Sequence, residues 1–274
     1  MVDYIVMFSG GLTSFEAARR AIEKHGRDRV RLWFADTNTE DDDLYRFNED
    51  VERLLNHPIE VLSNGGRNIW DIFREEKIMG NSRIDPCSRK LKRSPLKNKL
   101  KEEYPNPKDA IVVLGMDGIE DCSRTERAAK GQLPYETWFP LLDEPIVMKS
   151  DIAKWLEERG VERPRLYRMG FTHNNCGGFC VKAGMGQFAH LYKERPEIYA
   201  YHEQQEQDFL RDYPDSHTIM RDRRGKTNAN KQTIVSNPMS MADFRRRVEE
   251  GETFFYDAGW SCMCFDDTSD LEWL

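Results

Sequence analysis

Four short apolar runs, Tyr4–Phe8, Val30–Phe34, Ile59–Leu62 and Ala110–Leu114, stand out in the amino-terminal part of the chain, and each reads as a buried strand. Between them the period lengthens. Ser14–His25 and Asp42–Leu55 carry helical patterns, the first placing Phe15, Ala18, Ala21 and Ile22 near one face. Strands alternating with helices predict βαβ units, hence an α/β fold with a doubly wound, mostly parallel sheet. Further on, Ile69–Lys77 and Ser88–Glu103 read as helices, with Pro95 either bending the second or marking the start of its main part. Pro105-Asn106-Pro107 breaks the pattern, and Lys130–Pro134 reads as a loop over the strand ends. A short helix over Asp151–Arg159 is introduced by Ser150 and closed by Gly160. After Gly178 the composition changes to helical stretches Met185–Leu191, Pro196–Arg211 and Met241–Glu250, with a polar segment Arg221–Lys231 before the last. The expected division is a core over 1–182 and a mainly helical region over 183–274 packed on it.

The turn after the first strand carries the strongest chemical signal. Ser9-Gly10-Gly11-Leu12-Thr13-Ser14 joins a buried strand to a helix N-terminus. Such a turn sets a row of backbone N–H groups at the positive end of a helix dipole, an arrangement suited to phosphate. The glycines let the backbone approach an anion, and the hydroxyls of Ser9, Thr13 and Ser14 add donors. No Gly-Lys-Ser/Thr follows, so this is not a Walker A loop; the plain alternative is a Gly-Gly turn before a helix capped by Thr13 or Ser14. Ligands of open α/β sheets bind at the carboxyl ends of strands, where this loop, Asp36 and Gly115 all fall.

Composition narrows the classes. With 39% apolar and 32% charged residues, the chain has enough material for a packed core and is not disordered as a whole. A net charge of −7 argues against a protein that coats nucleic acid non-specifically. Basic clusters nonetheless occur: Arg83 with Arg89, Lys90, Lys92, Arg93, Lys97 and Lys99, and Arg221 with Arg223, Arg224 and Lys226. They are read as a solvated face or, for the first, as the surround of a polyanionic substrate. No stretch approaches a membrane span, and Asp3 with the short run behind it does not resemble a secretory signal. Six cysteines in 274 residues do not read as a disulfide framework; a reducing cytoplasm and metal-binding or reactive thiols are expected.

Several segments together resemble the PP-loop superfamily, which holds ATP pyrophosphatases, phosphoadenylyl-sulfate (PAPS) reductases and sulfur-transfer enzymes. Ser9–Ser14 resembles its Ser-Gly-Gly-x-x-Ser loop, and Arg31–Glu40 its second strand ending in Asp-Thr. Cys87-Ser88-Arg89-Lys90-Leu91-Lys92-Arg93-Ser94-Pro95-Leu96 is similar to the reductase segment Cys-Cys-x-x-x-Lys-x-x-Pro-Leu, with one cysteine in place of two. Leu114-Gly115 through Glu120, Arg124 and Arg127 resembles a strand-end glycine followed by Glu-x-x-x-Arg. Trp138–Leu141, Asp151–Leu156, Leu166-Tyr167 and Gly170 resemble the closing run that leads to the final cysteines; the likeness covers about residues 4 to 182.

The resemblance implies an adenine nucleotide, ATP or an adenylyl sulfate, held by Ser9, Gly10, Gly11, Thr13, Ser14, Asp36, Gly115 and Glu120. Lys90, Arg124 and Arg127 would act on its phosphates, although Glu120, Arg124 and Arg127 also have the spacing of surface ion pairs on one helix face. Retention of both glycines favours ATP. Thr13 replaces the family's aspartate, which leaves Asp36 and Asp117 as the carboxylates for Mg²⁺. Cys176-Gly177-Gly178-Phe179-Cys180 places two thiols across a Gly-Gly pair, where the family has Cys-x-x-Cys. With Cys87 these imply a [4Fe-4S] cluster, zinc being the rival; Cys122, Cys262, Cys264 and His173 are candidates for a fourth ligand. The family's C-terminal Glu-Cys-Gly-x-His is absent, Trp260–Asp267 standing there instead. The expected activity is adenylation of an acceptor with pyrophosphate release, coupled to sulfur transfer. Reduction of an adenylyl sulfate to sulfite is the enzymatic alternative, and a nucleotide-binding module with structural zinc the non-enzymatic one. Expected partners are the nucleotide, a nucleic-acid acceptor, and a sulfur-donor or thiol-reductant protein.

Overall fold

The computed structural model describes residues 1–117, 124–222 and 237–255. Glu120, Cys122, Arg223, Arg224, Lys226, Cys262 and Cys264 lie outside the described residues.

The chain runs β1 (Asp3–Phe8), α1 (Leu12–His25), β2 (Val30–Ala35), α2 (Asp42–Leu55), β3 (Ile59–Leu62) and α3 (Ile69–Glu76). It continues through α4 (Pro86–Ser88), a π-helical turn Arg89–Arg93, α5 (Ser94–Glu103), β4 (Ala110–Val113), α6 (Thr125–Lys130) and β5 (Glu136–Trp138). Then come α7 (Lys149–Glu157), α8 (Arg165–Arg168), α9 (Met185–Glu194), α10 (Pro196–Asp212), β6 (Met220–Asp222), β7 (Asn237–Met239) and α11 (Met241–Glu249). The first five strands form one sheet in the order β3-β2-β1-β4-β5, every neighbouring pair parallel. The α/β expectation holds, and β5, which was read only as part of a motif, closes one edge.

Strand alternation explains the two-sided winding. Val6, Phe8, Leu32, Phe34 and Val113 face a core shared with α1, α2 and α7. Ile5, Met7, Trp33, Ala35, Val112 and Leu114 face the opposite core with α5 and α6. Because β2 lies on one side of β1 and β4 on the other, the strand order reverses at the β1/β4 crevice, where such sheets bind ligands.

The helix read over Ser88–Glu103 is not regular. Pro95 has no N–H for the carbonyl of Leu91 and would crowd it in a regular helix. The turn before it widens to π geometry, and the Asn64 side-chain amide donates to the Leu91 carbonyl at 2.9 Å. This widening sets which residues of the basic run face inward: Lys92 is buried, while Lys90 stays on the surface.

The helical C-terminal region does not stand alone. Phe188, Leu191, Tyr199, Phe209 and Phe244 form one core with Ile69, Trp70 and Phe73 of α3, Leu91 of the π turn, and Phe179 between the two cysteines. The segment read as polar over Arg221–Lys231 begins in a strand, since Met220–Asp222 pairs antiparallel with Asn237–Met239. Glu206 of α10, fully buried, ties these pieces together by accepting from the backbone N–H of Ile219 (3.1 Å) and of Met241 (2.5 Å).

Burial pushes the Glu206 carboxyl up to about 7, helped by the charges of Glu203 and Asp243 and opposed by the two N–H donors. The folded state therefore holds this proton more tightly than the unfolded chain, whose value is near the ordinary 4.5. The resulting stabilisation is complete below that ordinary value and is lost as the pH rises through about 7. Relative to Glu206→Gln, the native protein should lose up to roughly 3 kcal/mol between pH 4.5 and 8, measured by urea denaturation. Parallel stability profiles for the two proteins would contradict this.

Candidate functional site

At the β1/β4 crevice the Ser9–Ser14 turn is built by mutual hydrogen bonding. The Ser14 hydroxyl accepts from the Gly11 N–H (3.2 Å) and the Ser9 hydroxyl (3.1 Å), and donates to the Gly11 carbonyl (2.9 Å). Gly10 has φ +72°, and a Cβ there would lie 2.7 Å from Leu44, so the turn requires glycine. Gly115 is needed for a different reason: its Cβ would stand 2.6 Å from the Thr13 carbonyl and 2.7 Å from the Ser14 Cα. The exit of β4 thus lies directly against the start of α1. The phenol oxygen of Tyr167 accepts from the Leu12 N–H at 3.4 Å, and the Asn174 amide donates to the Gly10 carbonyl at 2.9 Å.

These elements enclose a cavity of about 90 Å³, lined by Ser9, Gly11, Thr13, Ser14, Gly115 and Arg124 among the expected residues. Lys92, Lys149, Tyr167, His173, Asn174 and Asn175 complete its polar wall, and Phe8, Phe34, Leu96 and Met116 are among its apolar residues. A glycine turn at a helix N-terminus with three cationic side chains around it is suited to a polyphosphate, and the apolar wall to a flat organic group.

Three expected residues do not join this site. Lys90 is 40% exposed and pairs with Glu76 at 2.8 Å. Arg127 is exposed on α6, away from the lining, while Arg124, just before that helix, reaches the cavity. Asp36 accepts from the Tyr45 hydroxyl (2.9 Å) and the Asn38 N–H (2.8 Å), so it orders the loop after β2. Burial, together with the carboxylate of Asp36, pushes the Tyr45 phenol up and keeps it a donor. Among the described residues no aspartate or glutamate lines the cavity, so Asp36 and Asp117 lie outside its lining. The charge of a bound polyphosphate would be met by Lys92, Arg124 and Lys149.

The motif spacing already held the signal for Lys92. In Cys-Cys-x-x-x-Lys-x-x-Pro-Leu the lysine stands three residues before the proline, which is position 92 when Pro95-Leu96 is matched. Lys149 and Asn174 come from distant segments, and no local pattern marks them, whereas Tyr167 belongs to the Leu166-Tyr167 segment of the closing run.

Cys87, Cys176 and Cys180 line a second, smaller cavity of about 20 Å³, with Ile69, Phe179 and Val181 as apolar wall and Asp85, Lys92 and Lys182 as charged wall. Lys92 lines both cavities. Its Nζ lies 3.1 Å from Glu40, whose carboxylate also accepts from the Thr37 hydroxyl (2.9 Å) and the Cys176 N–H (2.5 Å). The cysteine loop turns through three successive left-handed residues, Cys176 (φ 51°), Gly177 (φ 59°) and Gly178 (φ 89°). A side chain at 178 would meet Phe171 at 2.9 Å, and one at 177 the Thr39 carbonyl at 3.1 Å. Lys182 pairs with Asp85 at 3.4 Å, both buried, and Arg93 holds the same carboxylate at 2.8 Å.

Three thiols thus line one cavity beside the ammonium groups of Lys92 and Lys182, each paired with a carboxylate. Among the described residues, no three His, Cys, Asp or Glu side chains converge to hold a metal ion. The present room suits about one water-sized guest, and a cluster requires the thiols to turn outward. His173 lines the nucleotide-type cavity and not this one.

No family model matches the sequence, and no curated protein matches it. Among solved structures, the chain is similar to phosphoadenylyl-sulfate (PAPS) reductase from Candida auris in a phosphate complex, with 16% sequence identity and a TM-score of 0.45, over 62% of this chain and 80% of that one. The protein is an open-sheet α/β protein with its candidate site at the switch point of a parallel sheet.

If Lys92 contacts the phosphates, Lys92→Met should weaken ATP binding by about tenfold, the loss of one charge-assisted hydrogen bond, and Lys90→Met should leave it within about twofold. Calorimetric titration reads both, with urea denaturation confirming that each variant is folded. Equal losses, or a larger loss for Lys90→Met, would contradict the assignment.

Proposed function

We propose that this chain is a nucleotide-activating enzyme of the PP-loop, PAPS reductase-like kind. It binds ATP in the crevice, adenylates an acceptor with release of pyrophosphate, and couples that step to sulfur transfer at the adjoining thiols. The observation that carries this reading is Lys92, one buried ammonium shared by a cavity suited to phosphate and a cavity lined by three thiols.

In the adenylation step an acceptor oxygen forms a bond to the α-phosphorus and the bond from that phosphorus to the α–β bridging oxygen breaks. Both electrons of the broken bond leave with pyrophosphate. Charge grows on the departing oxygens beside the N-terminus of α1, with Lys92, Arg124 and Lys149 in the same cavity lining to meet it. The Ser14 hydroxyl serves by holding the Gly11 backbone in place. Tyr167 and Asn174 brace the same turn from outside, through Leu12 and Gly10.

Cys87, Cys176 and Cys180 would hold an iron–sulfur cluster, which when bound supplies iron-coordinated sulfur chemistry beside the nucleotide. The chain's own part there is to hold the three thiols around one recess, with Phe179 and Val181 as its apolar wall and Lys92 and Lys182 on its charged side.

Incubation with ATP should release pyrophosphate, and Ser14→Ala should slow that release by about a hundredfold, in the range for a disturbed oxyanion-type contact. Protein purified without oxygen should contain iron and acid-labile sulfide, lost in Cys87→Ala and in Cys176→Ala. Absence of pyrophosphate together with sulfite from an adenylyl sulfate and a thiol reductant would replace adenylation with reduction. Stoichiometric zinc without iron would contradict the cluster.

A further inference from the structure

A third cavity, of about 230 Å³, shares no lining residue with either of the others. Its wall brings Asp42 at the start of α2, Asn68 at the start of α3, Gly177 of the cysteine loop, and Tyr201 and His202 of α10 to one place. Two of its carboxylates are already committed: Glu40 to Lys92, and Asp41 to Arg165 and Arg195. Asp42 is not. It is exposed, and among the described residues its carboxylate accepts no hydrogen bond and forms no ion pair.

His202 supplies the independent observation. It is 2% exposed, and its ring stacks on Phe179 at 3.6 Å with 6° between the planes. Its Nδ1 accepts from the Trp70 indole N–H at 2.9 Å, which fixes the neutral ring's hydrogen on Nε2. Burial pushes the imidazole down to about 3, so the ring stays in this neutral form at ordinary pH. Among the described residues no acceptor takes the Nε2–H. A donor of a cavity-lining ring that no protein acceptor takes is available to a ligand or a water that supplies one.

These groups restrict the guest. Arg195 also lines the wall, but its guanidinium is held by Asp41 and Glu197, so the carboxylate of Asp42 is the charge left without an ion pair and disfavours an anion such as phosphate. A simple ammonium ion has no acceptor for His202. Tyr201, 46% exposed and edge-on to the His202 ring at 5.0 Å, offers an aromatic surface at the rim. We propose that this cavity is a second binding site, for a neutral planar heterocycle carrying both a ring acceptor and an N–H donor, the chemistry of a nucleobase. The heterocycle accepts from His202 Nε2–H, donates to Asp42 and packs on Tyr201. The site does not depend on the ATP reading, and a failure of ATP to bind leaves it standing.

Cytidine and adenosine, which lack phosphate, are titrated into the full-length protein labelled with ¹⁵N-histidine, with and without saturating inorganic tripolyphosphate, which carries no base. A saturable shift of the His202 Nε2–H resonance is expected, unchanged by tripolyphosphate. In Tyr201→Ala and in Asp42→Asn, both at exposed positions, the affinity should fall by about tenfold. A single-stranded oligodeoxycytidine arm separates the sources: tighter binding than cytidine assigns the base to a nucleic acid, and equal binding to a free nucleoside. No shift at His202, a shift abolished by tripolyphosphate, or undiminished binding in both variants would overturn the proposal.

Discussion

The buried pair between Lys92 and Glu40 is the interaction on which the candidate site depends. Their side chains are 8% and 1% exposed, so both charges are out of water. Removing either would strand the other, at a cost of about 3–5 kcal/mol. Glu40 stands between β2 and α2, Lys92 comes from the π turn, and Cys176, whose N–H the same carboxylate accepts, belongs to the cysteine loop. One carboxylate therefore sets the position of the thiol loop relative to the sheet, and its partner lines both cavities. A polyphosphate in the crevice would give the Lys92 ammonium a second anionic neighbour. A nucleotide bound there would thus be linked to the conformation of the cysteine loop through one side chain.

Other buried charges extend this arrangement outward. Burial opposes ionisation of Asp41, but the guanidinium groups of Arg165 and Arg195 and the Asp43 N–H hold its carboxyl below the usual range. That carboxylate also caps α2, so the start of α2, α8 and the junction of α9 with α10 meet at one point. Asp85 gathers Arg93 and Lys182 in the same way on the thiol side. The C-terminal helices are consequently part of the site's support: His202 of α10 stacks on the phenylalanine between the two loop cysteines, and Glu206 anchors the start of α11.

What was legible in the sequence followed local periodicity. Apolar runs and the glycine turn located β1 to β4 and the loop at the switch point, because a buried parallel strand and a turn with positive φ both restrict their residue types locally. Lys90 was expected at the phosphates, but a π turn before Pro95, accommodated by Asn64, turns Lys92 inward and leaves Lys90 on the surface, a rotation that no regular helical period describes. Asp36 carried the right chemistry at a strand end, yet Tyr45 and Asn38 engage its carboxylate, and neither contact follows from spacing. The strand at Met220–Asp222 was hidden because it is short and pairs only with a segment more than a dozen residues away. The wall residues Lys149, Asn174 and His202 are brought in by tertiary packing, which leaves no local trace.

The most direct test of the account is a crystal structure of the protein with a non-hydrolysable ATP analogue. The β- and γ-phosphates should rest against the Ser9–Ser14 turn at the start of α1 with the Lys92 ammonium in contact, and the adenine should lie against the apolar wall of the same cavity. A nucleotide bound elsewhere, or one whose phosphates turn away from the glycine turn and from Lys92, would contradict it.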